Sequence, residues 1–208
     1  MTKTIIFDFD GTLADSMQIL VEITNELAAE FGYRPITPQQ INDWQKLSSR
    51  QVLKMSGIAL WQVPFLMHRF RLAFSEKTDR VKLFPEIVPM LHSLKHSGHK
   101  IGIVSSNSVE NISAVLRKHH VEHLFSFIDS SSVFGKGRAI RASLRANYIR
   151  QDEAIYVGDE IRDIDAARKG NIPSIAVTWG FNHADTLSTH QPDYLINNPQ
   201  EILLLFAN

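Results

Sequence analysis

Thr4-Ile5-Ile6-Phe7-Asp8-Phe9-Asp10-Gly11-Thr12-Leu13 joins a buried-strand pattern to two carboxylates with no cation beside them in sequence. The first four residues form a short β-branched and aromatic run, as expected of a central strand in a parallel sheet covered on both faces. Residues two apart on a strand point the same way, so Asp8 and Asp10 are expected to face whatever lies beyond its carboxyl end. Gly11 and Thr12 then turn the chain, and their backbone N–H groups are expected to be free to hold an anion. Two carboxylates held close together repel; the pair is tolerable where a divalent metal binds or where one carboxyl stays protonated. A hard, all-oxygen site of this kind suits magnesium. One carboxylate can attack phosphorus to form an aspartyl phosphate, and the other can act as acid and then base.

After Leu13 the period changes. Ile19, Leu20, Ile23, Leu27 and Phe31 recur at helical spacing, from a start near Asp15 or Ser16 to Gly32. Thr37-Pro38-Gln39-Gln40 reads as a capping box with Pro at the first helical position, Ser48-Ser49 offers a second cap, and 63–74 is a longer apolar and basic stretch. Phe84-Pro85-Glu86 opens a helix that ends at Gly98, and the next strand is predicted over 100–104. About 85 residues thus separate two strands that a single crossover helix could join. An insert is expected, residues 16–82, forming a small helical domain over the carboxylates. The remainder, 1–15 with 83–208, alternates strand and helix as in a doubly wound parallel sheet. Strands are predicted over 125–128, 154–157 and 173–177, and helices from Ser108 to His120, over 137–148, over 161–169 and from Asn198-Pro199 onward.

Ligands of open parallel sheets lie beyond the carboxyl ends of the strands, so the polar residues there are the candidates. After the second predicted core strand come Ser105, Ser106 and Asn107, where a hydroxyl and nearby N–H groups can grip a phosphoryl oxygen. After the third, Lys136 stands between Gly135 and Gly137 at a helix start, where the dipole disfavours a cation, and this points to an anion nearby. After the fourth, Gly158-Asp159 is followed by Asp163 one helical turn later, so both acids can reach one ion.

These segments together resemble the four signatures of the haloacid dehalogenase (HAD) superfamily, in its phosphatase branch, in the family's order. The resemblance implies a Rossmann-like α/β core with an inserted α-helical cap of the C1 type. It implies Asp8 as nucleophile, Asp10 as acid and base, Ser105 (with Ser106 as runner-up) as the second signature, and Lys136 steadying the nucleophile and the phosphate. Magnesium would be held by Asp8, the backbone carbonyl of Asp10 and Asp159, with Asp163 bound directly or through water. Two positions depart from the family's habit: Gly137 stands where many phosphatases carry Pro, and Glu160 where small hydroxyl residues are common. The resemblance is closest to phosphoglycolate phosphatase-like members, and the substrate it implies is a small phosphorylated metabolite. A phosphosugar mutase (β-phosphoglucomutase-like) would use the same core. A non-catalytic phospholigand-binding protein would be marked by loss of Asp8, Asp10 or the metal acids, and none is lost. Within the insert, Arg50 is the first choice for a leaving-group contact because it follows a helix start; Lys46, His68 and Arg69 are the others.

Composition bounds the rest. The 208 residues are 44% hydrophobic and 21% charged, enough for a substantial core. Lys+Arg 22 against Asp+Glu 22 leaves no net charge, so no nucleic-acid partner is expected. The chain has no Cys, which removes disulfides and thiolate chemistry. The first strand starts too early for a signal peptide and no apolar run is long enough for a bilayer, so no membrane partner and a cytoplasmic location are expected. Oligomeric state has no signature in the sequence.

Overall fold

The computed structural model describes residues 3–206. Strand β1 (Thr4–Phe7) runs into the 8–12 turn and a two-residue strand, β2 (Ala14–Asp15). Four helices follow: α1 (Met17–Phe31), α2 (Pro38–Trp44), α3 (Ser49–Ser56) and α4 (Val63–Ser75). Strand β3 (Lys82–Leu83) then pairs antiparallel with β2, Ala14 opposite Leu83 and Asp15 opposite Lys82. From there the chain alternates through α5 (Ile87–His96), β4 (Lys100–Ser105), α6 (Val109–Lys118), β5 (Phe127–Ser130), α7 (Lys136–Ala146) and β6 (Ala154–Gly158). It ends through α8 (Ile161–Gly170), β7 (Ser174–Val177), α9 (Ala184–Thr189), β8 (Tyr194–Ile196) and α10 (Glu201–Leu204).

The six core strands form one parallel sheet in the order β5-β4-β1-β6-β7-β8. Strand alternation sets the layers. Ile5 and Phe7 point to one face, where they pack with Ile87, Leu91 and Ile112, while Ile6 points to the other, among Ile140, Leu144 and Ala167. Helices α5 and α6 therefore cover one side and α7 and α8 the other. Tyr156 is fully buried, and its hydroxyl donates to the Val104 carbonyl at 2.6 Å, so the one polar atom it buries is satisfied. Because β1 has β4 on one side and β6 on the other, crossovers leave it in both directions, and a crevice opens at their carboxyl ends.

The insertion leaves the core after β2 and returns at β3, as an all-helical unit. Its helix starts follow local chemistry. Thr37 and Ser48 accept from the N–H groups of Gln40 and Gln51, whose side chains in turn accept from the Thr37 and Ser48 N–H groups. Gly32, at φ 74°, ends α1 in the left-handed conformation.

Several boundaries differ from the sequence reading. β5 begins at Phe127, two residues late, because a 3-10 turn over Glu122–Leu124 uses up the chain before it. α8 runs through Gly170, and Asn171 at φ 59° takes the left-handed position instead. α10 starts at Glu201, past the Asn198-Pro199 pair. The short elements β2, β3, α9 and β8 were not expected at all; each is six residues or fewer and is held by long-range pairing or packing.

His99 precedes β4, is buried against Phe206, and accepts the Lys3 N–H on Nδ1 at 3.1 Å. Burial lowers its pKa below the ordinary value of 6.5. The unfolded chain therefore binds this proton first, so stability is intact above that value and falls as the pH drops through it. Melting temperatures at pH 7 and pH 5 should differ less in His99→Gln than in the parent; equal differences would show that His99 does not carry this dependence.

Candidate active site

The carboxyl ends of β4, β1 and β6 lie side by side, which brings residues 105–107, 8–12 and 158–163 to one crevice. Close approach there depends on glycine. Gly11 has φ +78°, and a Cβ on it would fall 2.2 Å from an Asp159 carboxylate oxygen. A Cβ on Gly158 would fall 2.4 Å from that of Asp163.

Lys136, the first residue of α7, is buried between two carboxylates, with Nζ 2.5 Å from both Asp8 Oδ2 and Asp163 Oδ1. These partners offset a cation's unfavourable place at a helix start. Burial alone would lower the Lys136 pKa; the charges of Asp163 and Asp8 override it and hold the value above the ordinary one. Burial likewise disfavours the Asp8 charge, but Lys136 and then Arg162 outweigh it, so Asp8 lies below the usual carboxylate range. Asp163 goes the other way: burial pushes it up to about 6, Lys136 opposes, and Asp8 adds repulsion.

Asp159 is buried without an ammonium or guanidinium on it. Its carboxylate accepts from the Thr12 hydroxyl and the Phe181 N–H, each at 2.7 Å. Burial, then the charges of Glu160, Asp163 and Asp8, raise its pKa well above the ordinary carboxylate value. Asp10 is partly buried, and its two oxygens accept from Ser16 Oγ at 2.7 Å and Asn107 Nδ2 at 3.0 Å. Burial raises its pKa to about 6, the Ser16 bond opposes, and the Asp8 charge adds to the rise.

Two expectations are corrected. The Gly11 and Thr12 N–H groups are not free: they donate to the Ala14 and Phe9 carbonyls at 2.9 and 3.3 Å, because a turn this tight satisfies itself. Arg50 is not among the residues that line the crevice; it is exposed, with its guanidinium carbon 5.7 Å from the ring centre of Phe134, which does line it. Ser105 is buried and its hydroxyl accepts the Asn107 N–H at 3.3 Å, while the Ser106 hydroxyl lies 3.5 Å from Arg162 Nη1. Gly137 has a packing reason. A Cβ there would stand 2.9 Å from the Lys169 Cβ and 3.1 Å from the Ala166 carbonyl oxygen, so α7 and α8 approach too closely for a larger residue.

Glu160 links insertion and core: it accepts from Ser49 Oγ at 2.8 Å and from Arg162 Nη2 at 2.5 Å. Arg162 was missed in the sequence, although it precedes Asp163 directly. Its Nε is buried and has no partner, and the guanidinium lies close enough to Asp8 and Asp163 to be held charged by them after Glu160. The segment after β7 was missed too. Asn182 is buried, donates to the Gln45 and Leu47 carbonyls, and accepts from the Ile161 N–H. The strand-end rule applied to β7 would have found it. Arg71 of α4 adds a third tether, donating to the Ser106 and Ser131 carbonyls.

The donor set fits a hard divalent cation. One oxygen from each of Asp8, Asp159 and Asp163 lies within 4.8 Å of the others, and all three residues are buried. Among the described residues, five carboxyl groups, those of Asp8, Asp10, Asp159, Glu160 and Asp163, face two cations, Lys136 and Arg162. A dication would offset that excess.

An acid-lined crevice at the switch point of a parallel sheet, under a helical insertion, defines a hydrolase of the HAD type. The model of the haloacid dehalogenase-like hydrolase family matches residues 5–177, and the chain belongs to that family. It is 36% identical over 202 residues to a phosphoglycolate phosphatase of Synechococcus elongatus, covering 97% of this chain and 95% of that one. A phosphoglycolate phosphatase of Xylella fastidiosa is 28% identical over 95% of this chain and 90% of its own. Among solved structures, a haloacid dehalogenase-like hydrolase from Streptococcus pneumoniae superposes with a TM-score of 0.83 at 25% identity, covering 99% of both chains. A predicted phosphatase from Clostridium acetobutylicum shares the fold at a TM-score of 0.85 and 24% identity over all of both chains.

Removing the Lys136 ammonium leaves Asp8 and Asp163 facing each other with only the more distant Arg162 guanidinium, itself paired with Glu160, as counter-charge among the described residues. Lys136→Met should lose about 3–5 kcal/mol of stability in EDTA, and excess magnesium chloride should restore part of it. Thermal melts in the two buffers measure this, and an unshifted melt in EDTA would show that the ion pair contributes nothing.

Proposed function

We propose that the chain is a magnesium-dependent phosphatase that hydrolyses a small phosphomonoester through an aspartyl phosphate on Asp8. The observation that carries this reading is the contrast between two carboxyls two residues apart. Asp8 is held by a buried ammonium, whereas Asp10 is turned away onto Ser16 and Asn107. The first environment keeps a carboxylate ionised as a nucleophile; the second, with a pKa near 6, lets a carboxyl hold a proton close to neutral pH.

In the first step an Asp8 oxygen attacks phosphorus, the bond from phosphorus to the ester oxygen breaks, and Asp10 gives its proton to the departing alkoxide. In the second, Asp10 takes a proton from a water as its oxygen attacks phosphorus, the bond to Asp8 breaks, and phosphate leaves. Lys136 stays beside Asp8 throughout and offsets charge on the phosphoryl oxygens. The unpartnered Arg162 Nε, and the hydroxyls of Ser105 and Ser106, are the further donors we assign to those oxygens. Magnesium, when held by Asp8, Asp159, Asp163 and the Asp10 carbonyl, neutralises charge on the transferring group. The helical insertion closes over this chemistry and excludes bulk water; the Ser49, Asn182 and Arg71 bonds support that role.

Phosphate release from para-nitrophenyl phosphate should require magnesium and fall to background in Asp8→Asn. Asp10→Asn should lose about a hundredfold or more in kcat. Ordinary turnover in Asp8→Asn would end the nucleophile assignment, and a folded, magnesium-loaded protein with no turnover of any phosphomonoester would favour a binding role instead.

A further inference from the structure

A cavity of about 320 Å³ runs from Asp10 and Asp159 up into the helical insertion. Its upper wall is mostly hydrocarbon: Leu20 of α1, Ile41 of α2, Leu53 of α3, and Met67 and Phe70 of α4 all line it, with Thr24, Tyr33 and Ser56 among the polar side chains. Each of the four helices supplies at least one apolar side chain, and all five residues are only half-buried, although Leu20 and Phe70 also pack against the main core. Charge is scarce there. Among the described residues, Arg71 is the one ionised side chain that the insertion gives to this wall, and its guanidinium is spent on the Ser106 and Ser131 carbonyls. At the base, Arg162 is tied to Glu160, whose own charge repels an anion. Lys46, Arg50, Lys54 and Arg69 do not line the cavity.

We infer that the alcohol half of the substrate is apolar: this site takes the phosphomonoester of an alkyl or aryl alcohol in preference to that of a hydroxy acid. The inference rests on the phosphatase reading and deepens it. The cavity is continuous with the proposed acid, Asp10, so what fills it is the group that Asp10 protonates. A cavity of this size falls within the range of small-molecule sites and has room for a short alkyl or aryl group. A leaving group with a carboxylate would give up its hydration there and find, beyond Arg71 and Arg162, which carbonyls and Glu160 already engage, no cation on the wall, which costs far more than the loss of a neutral polar contact. A chain of methylenes loses nothing polar and gains by leaving water.

The test compares kcat/KM, with magnesium present, for methyl, n-butyl and n-hexyl phosphate and for 2-phosphoglycolate. Alkyl leaving groups of this series differ little in reactivity, so the trend reads contacts made by the chain. The expected result is a rise of up to about fourfold per added methylene, with 2-phosphoglycolate at least tenfold below n-hexyl phosphate. Leu53→Asp, checked for folding by circular dichroism, should lower the n-hexyl to methyl ratio at least tenfold. A flat or falling alkyl series, a preference for 2-phosphoglycolate, or an unchanged ratio in Leu53→Asp would overturn the inference and leave the phosphatase reading standing. Absence of magnesium-dependent hydrolysis of every ester would overturn that reading, and the inference with it.

Discussion

The site depends on one ammonium group held in a dry pocket by two carboxylates. Lys136 reaches Asp8 from one β-strand end and Asp163 from a helix turn, so the cation ties together segments that are 128 and 27 residues from it in the chain. Without it, burial would push both acids toward their neutral forms. With it, Asp8 stays charged while Asp163, Asp159 and Asp10 are all raised. The same group therefore fixes geometry and keeps Asp8 charged, while burial and the neighbouring carboxylates raise the other three. Such buried charge adds little net stability compared with a well-packed apolar cluster, so function is the better account of its presence.

Much of this was legible because local rules were either obeyed closely or broken visibly. Thr37, Ser48 and Ser108 announced helix starts through capping chemistry, and each caps the helix expected of it. Asp8 and Asp10 were readable from a strand's two-residue period, Asp159 and Asp163 from a helix's four. Lys136 was conspicuous for the opposite reason, as a cation where a helix dipole opposes one. What stayed hidden was tertiary in origin. Nothing in the local sequence sets the Arg162 guanidinium apart, and only packing shows that its Nε is dry and, among the described residues, unpartnered. Arg50 stands off the cavity wall, over Phe134, because a helix start says where a residue enters the helix but not which way that face turns. The two-residue strands β2 and β3 carry no periodicity to detect, since their pairing spans the whole insertion.

The insertion and the core meet through polar tethers. Ser49 to Glu160, Asn182 to the Gln45 and Leu47 carbonyls, and Arg71 to the Ser106 and Ser131 carbonyls all cross between them. Hydrogen bonds of this kind exchange for water at small net cost, unlike an apolar interface of equal extent. They are compatible with the closing role proposed for the insertion.

The β2–β3 ribbon has a consequence for how such a chain can change. Its two rungs bring the points of departure and return together whatever the insertion between them contains, so the ring is closed at its base. A segment tethered this way can grow, shrink or be replaced for an entropic penalty that rises only with the logarithm of its length, about 0.6 kcal/mol per doubling. The part of the cavity wall that the insertion supplies is thus free to drift through new chemistries while the strands carrying the acids stay as they are.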